Sequence, residues 1–193
     1  FEVLKRDAHI EALAARLPAS ERQAAEEALA SHWQTLDEEF AFIARCNEGG
    51  EFMATEDIAR LQQIAGRTWQ RTLSDRLGIS QDELARKQRA TESPLPVTEP
   101  LLADRPDHLF TRSNRDRLAP DNPWGFQVNT PEYLYNRGEI YNLAIRRGTL
   151  TDEERYLINA HIIRTEIMLR QLPWPRHLVE VPEVAASHHE KMD

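Results

Sequence analysis

Cysteine is almost missing from this chain. With Cys46 the only one in 193 residues, no internal disulfide can staple the fold, and a reducing, cytoplasmic setting is expected. The thiol sits in "FIARCNE" near a helix end, where a small packing residue is the plain reading and a reactive thiol the alternative. Glycine is scarce too, at seven, which suits a helix-leaning chain rather than one rich in tight turns. No apolar run approaches the ~18 residues that a membrane-spanning helix requires. Basic charge is in deficit, 24 Lys and Arg against 32 Asp and Glu, giving a net charge of −8. That balance argues against a nucleic-acid polymer as partner, while a small anionic ligand held by local cations or a metal stays compatible with it. The opening "FEVLKRDAHIEAL" is amphipathic and charged throughout, unlike a secretory signal, and it lacks an initiator Met, so the chain reads as a piece of something longer.

What is present is helical periodicity. Hydrophobic residues make up 40% and charged residues 29%, a composition able to bury one core, or a core plus an extension. Val3, Leu4, Ile10, Leu13, Ala14 and Leu17 recur at helical intervals until Pro18 stops them. Ser20 and Gln23 form a capping-box pattern opening a helix with Leu29, Trp33, Leu36, Phe40 and Ile43 on one face, ended by Gly49 and Gly50. These helices are expected to pair as an antiparallel hairpin. A third helix runs from Thr55, with Ile58, Leu61, Ile64, Ala65 and Trp69 as its apolar face, and Ser80 with Glu83 caps a short one to about Lys87. Core-facing stripes are the plain reading of these patterns, and partner-binding surfaces the alternative.

Between Thr91 and Pro131 seven prolines (Pro94, Pro96, Pro100, Pro106, Pro120, Pro123, Pro131) deny long helices. Leu101, Leu102, Leu109, Phe110, Trp124 and Phe126 are too apolar for a solvated linker, so the stretch is expected to be an ordered loop packed on the domain. Trp124 and Phe126 could instead stack on a guanine base. Helix is expected again over "PEYLYNRGEIYNLAI". Thr151 with Glu154 is the clearest capping box, and the helix it opens carries Ile158, His161, Ile162, Thr165 and Leu169 on one face. Pro173 and Pro175 break that helix, and Pro182 suits the first turn of the last one, where Val181, Val184, Ala185 and His188 align.

Three histidines on two consecutive helices, His161, His188 and His189, make a candidate metal-ligand set, because neutral imidazole is the commonest protein ligand for transition metals. The alternative is that each, taken singly, is a satisfied core or surface histidine. His9, His32, His108 and His177 fit no constellation and read as surface residues. Arg146 and Arg147 precede a helix start, whose free amides favour anions, and are a candidate phosphate contact or a solvated basic pair.

The segments "RRGTLTDEERYLINAH" and "VPEVAASHHEKMD" resemble the carboxy-terminal half of an HD-GYP domain, a family within the HD-domain metal-dependent phosphohydrolases. Gly148, Leu150, Thr151, Glu153, Glu154, His161, His188, His189, Glu190 and Asp193 fit its pattern, which continues into Gly-x-Gly-Tyr-Pro one residue beyond Asp193. The resemblance is firm over about residues 131–193. More loosely, "FEVLKRDA", "GGEFM" and "PWGFQV" with "PEYLYNRGEIYNL" resemble a subgroup with a helical insertion. It implies an all-α, HD-domain-like helical bundle with an inserted hairpin and a Pro-rich ordered loop. The division expected is 1–90 for the insertion, 91–130 for the loop and 131–193 for part of the phosphohydrolase domain.

The family further implies two or three iron or manganese ions that activate a bridging water against a cyclic dinucleotide such as cyclic di-GMP, in bacterial second-messenger signalling. Carried over by position, His161, His188 and His189 match metal ligands, while Glu190 and Asp193 match signature positions that orient neighbours from outside the ligand set. The sequence departs from the family in holding no adjacent His-Asp pair, no Gly-Tyr-Pro loop and no later metal-binding Asp, so these 193 residues alone are expected to be inactive. Two other readings stay open: a regulatory or interaction module that dimerises through the helical hairpin of residues 2–47, and an HD-type phosphohydrolase acting on another phosphate ester.

Overall fold

The computed structural model describes residues 1–117, 122 and 129–187. It is 56% helical, with two small two-stranded sheets, so the helical fold class holds. The chain divides into two compact units, Phe1–His108 with Arg137–Thr149, and Leu109–Asn136 with Leu150–Asp193.

In the first unit, α1 (Glu2–Ala14) leads through Pro18 into α2 (Ala19–Glu48), followed by α3 (Thr55–Ala65), β1 (Thr68–Arg71), α4 (Gln81–Lys87), β2 (Val97–Pro100) and, after the other unit intervenes, α5 (Glu139–Leu143). Its core is Phe42, Leu61 and Ile64, joined by Ile43, Cys46, Met53, Leu102, Ile140, Leu143 and Ala144. The α3 face expected from periodicity is the one buried, at Ile58, Leu61, Ile64 and Ala65. Trp69 lies beyond it, on β1, because α3 ends at Ala65. β1 pairs antiparallel with β2, matching Trp69 to Glu99 and Arg71 to Val97. Ser80 caps α4 by accepting the Glu83 N–H.

The amino-terminal helices differ from expectation. Pro18, not Ser20, occupies the N-cap of α2, and no side chain caps it. No residue of α1 is buried, and α1 is fixed by polar contacts to the end of β1: the Glu2 carboxylate accepts the N–H groups of Thr72 and Leu73, and Lys5 donates to the Thr72 hydroxyl. Of α2, only the carboxy-terminal part reaches the core. Leu29, Trp33, Leu36 and Phe40 are exposed, Trp33 by 58% and Phe40 by 74%. The reason is reach: a 30-residue helix is ~45 Å long, and α3 and α5 pack only where Phe42, Ile43 and Cys46 are.

In the second unit, β3 (Leu109–Thr111) pairs antiparallel with β4 (Tyr133–Asn136), and α6 (Asp152–Arg170) and α7 (Val181–Ser187) follow. The expected helix over "PEYLYNRGEIYNLAI" is corrected: Tyr133–Asn136 is a strand, and helix forms only at Glu139–Leu143. Alternation of aromatic Tyr133 and Tyr135 with Leu134 and Asn136 is strand chemistry, and Phe110 meets the Tyr135 ring edge-on at 6.0 Å.

Candidate functional site

The helix that carries His161 starts as the sequence requires. Thr151 Oγ1 accepts the Glu154 N–H at 3.2 Å while the Glu154 carboxylate accepts the Thr151 N–H at 2.9 Å, so both halves of the capping box form. This reciprocal pair sets where α6 begins and therefore the register of every side chain after it.

The face that α6 buries is not the one expected. Glu153, Tyr156, Ala160, Ile163 and Glu166 are buried, whereas Ile158 and His161 are exposed. Tyr156 sets this rotation. Its ring lies 4.4 Å from the guanidinium of Arg112, and its hydroxyl donates to the Asp116 carbonyl at 3.3 Å. Turning His161 inward would swing Tyr156 out from under Arg112. The imidazole thus stands on the open side of α6, one residue past buried Ala160 and about 100° around from it.

Arg112 organises this unit, and no motif announces it. Only 4% exposed, it donates to the carbonyls of Pro131 at 3.1 Å, Tyr133 at 2.9 Å and Asp116 at 3.4 Å. Asp116 is itself held: Ser113 Oγ donates to its carboxylate at 2.6 Å, and with Arg164 and Arg112 nearby that carboxyl lies below its ordinary value. An isolated arginine in a Pro-rich stretch gives no periodic signal, and its burial depends on carbonyls some 20 residues away in sequence.

A cavity of about 610 Å³ opens beside the start of α6, lined by Asn129, Pro131, Glu132, Asp152, Glu153, Arg155, Tyr156 and Asn159. Glu132, Asp152 and Glu153 give it an acidic wall with one guanidinium, which disfavours a phosphate-bearing ligand there. Hydrogen bonding to the Glu132 carboxylate, with its charge, pushes the Tyr133 phenol up.

Of the expected ligands, His161 is described and exposed; His188, His189, Glu190 and Asp193 lie outside the described residues, as do Trp124 and Phe126. Among the described residues no three His, Cys, Asp or Glu side chains cluster to hold a metal ion, so these residues do not by themselves fit one. Arg146 and Arg147 are both exposed. The Arg147 guanidinium lies 5.8 Å from the Phe52 ring, and the Arg146 carbonyl accepts the Met53 N–H at 3.2 Å. Cys46 is half-buried against the first unit's core, and burial, then the charge of Asp57, pushes its thiol up. That is the packing residue of the plain reading. His108 is half-buried rather than on the surface, its Nδ1 accepting the Arg105 N–H at 3.3 Å.

A family model described as HD domain matches residues 96–193. No curated protein matches the chain. No solved structure matches it either.

Proposed function

The chain belongs to the HD domain family, whose members are generally metal-dependent phosphohydrolases, and on that premise we propose that it is of the HD-GYP type, a phosphodiesterase acting on a cyclic dinucleotide such as cyclic di-GMP. The observation that carries this is the span of the match: residues 96–193 include all three histidines of the motif and the Gly148 to Glu154 entry into α6. In this reading His161, His188 and His189 are ligands to iron or manganese, Glu190 and Asp193 orient them, and Arg146 and Arg147 contact phosphate. Such a substrate puts the activity in the bacterial cytoplasm.

The test is metal content per chain, measured on anaerobically purified protein expressed with its natural flanking sequence, together with cleavage of cyclic di-GMP. Two or three iron or manganese ions are expected, with loss of metal and of cleavage in His188→Ala and His189→Ala. A folded protein that binds none sinks the proposal. For the arginines, Arg146→Gln and Arg147→Gln are expected to raise KM more than they lower kcat.

One observation favours an added interaction role. Leu29, Trp33, Leu36, Phe40 and Ile43 of α2 follow one another at spacings of 4, 3, 4 and 3, the pattern of a two-helix seam, and the first four are exposed. We infer that this face pairs with the same face of a second copy. Sedimentation is expected to give a dimer that Trp33→Glu converts to monomer; a wild-type monomer at micromolar concentration removes the inference.

A further inference from the structure

The first unit holds a cavity that no sequence motif marks and that the proposed phosphodiesterase does not use. It lies among the end of α2, the start of α3 and residues 142–149, with a volume of about 270 Å³. Phe42, Met53, Leu143 and Ile145 give it apolar walls. Four charged side chains also line it: Arg45 and Glu48 from α2, Asp57 and Arg60 from α3.

All four are exposed at the cavity's edge. The guanidiniums of Arg60 and Arg45 lie 4.4 and 5.8 Å from the Phe42 ring, which holds both at the cavity through its π-face. Yet among the described residues none of the four charged groups forms an ion pair. The field of Arg60 does reach Glu39, and that of Asp57 reaches Cys46, which lines the same cavity. The rim is also clear of side chains at Gly50, where an added Cβ would meet nothing within 4 Å.

Two cations and two anions that line one partly apolar cavity without forming an ion pair are open to a ligand that carries both charges. A lining with surplus positive charge would suit a plain anion, but here the formal charges cancel. The complement is a molecule with a carboxylate for the guanidiniums, an ammonium for the carboxylates and an apolar body for Phe42 and its neighbours. The volume falls below the ~300 Å³ at which pockets for drug-sized ligands begin, so a small molecule is the ligand that it fits. We propose that this cavity binds a small apolar zwitterion of the α-amino-acid class.

L-leucine is the probe, with L-leucinamide lacking the carboxylate and N-acetyl-L-leucine lacking the ammonium. Calorimetry on the full chain is expected to show one L-leucine per chain and at least about tenfold weaker binding of each analogue, the loss of one charge-assisted contact. Because Cys46 is the only thiol and lines the cavity, L-leucine is also expected to slow its alkylation by iodoacetamide, while the analogues at the same concentration do not. Asp57→Asn and Arg60→Gln are each expected to weaken L-leucine about tenfold or more. Asp57 is exposed, so its variant keeps the test decisive even if Arg60→Gln loses packing on Phe42. Equal binding of N-acetyl-L-leucine would overturn the zwitterion, and so would full affinity in Asp57→Asn. The absence of both binding heat and protection of Cys46 by L-leucine would overturn the site. Chelator-treated protein serves for all of this, so the outcome is independent of whether the phosphodiesterase proposal stands.

Discussion

Cys46 and Lys87 show how a residue's neighbours set its chemistry. The Cys46 thiolate is the reactive form, and burial with the nearby Asp57 carboxylate disfavours it. Alkylation of Cys46 is therefore expected to be slower at pH 7.5 than that of an unstructured thiol peptide, and to keep rising with pH after the peptide's rate has levelled. A rate equal to the peptide's would refute this. Lys87 is buried, with Asp75 at 2.8 Å and Asp107 at 3.6 Å from its ammonium. Burial works to raise the Asp75 carboxyl, but the Lys87 hydrogen bond and charge, with Arg71 and Arg105 behind them, outweigh it and hold the group below its ordinary value. A depressed carboxyl stabilises the fold above its unfolded value, ~3.9, and that contribution is lost as pH falls through the folded value. Asp75→Asn is expected to cost ~1–3 kcal/mol at pH 7 and to show less loss of stability between pH 5 and pH 3 than the wild type, read from urea midpoints. An unchanged acid profile would assign the acid sensitivity to other carboxyls.

Helices here divide by whether a partner element reaches them. Thr151 and Glu154 settle the start of α6 locally, and both hydrogen bonds form as their three-residue spacing requires. Thr151→Ala is expected to cost ~1 kcal/mol, with Thr151→Ser recovering most of it, measured by denaturant midpoint. If both variants match the wild type, the cap contributes nothing. The rotation of α6 was not legible in the same way. Ile158, His161 and Thr165 share a helical face on paper as Tyr156, Ala160 and Ile163 do, and long-range partners distinguish them, among them the contact of Arg112 with the Tyr156 ring and the bond from the Tyr156 hydroxyl to the Asp116 carbonyl. For α2, periodicity gave the helix and its stripe, but whether a stripe is core depends on what packs against it. Likewise Tyr133–Asn136 became a strand because β3 was there to pair with it, a partner 22 or more residues earlier in sequence.

At the scale of the molecule, each unit is built from two separated stretches of chain, because residues 109–136 leave the first unit and 137–149 return to it. α5 supplies Ile140 and Leu143, and its C-cap Ala144, to a core begun by Phe42 and Leu61, about 80 to 100 residues earlier. Leu61 is the one large side chain with no exposure among the described residues, so it reports on that long-range assembly. Leu61→Ala is expected to cost ~2–5 kcal/mol in chemical denaturation, and a cost below ~1 kcal/mol would mean that the site collapses around the missing atoms.

The sequence by itself determined the helical class, the positions of most helix starts, the α3 core face and the HD-family membership, since these rest on spacings of a few residues that backbone geometry converts directly into structure. Only the tertiary structure decided which way His161 points, that Trp33 and Phe40 are exposed, that Arg112 is buried, and that Arg45, Glu48, Asp57 and Arg60 share one cavity. Each of those depends on a partner far along the chain, and periodicity reports the faces of an element without saying what lies opposite.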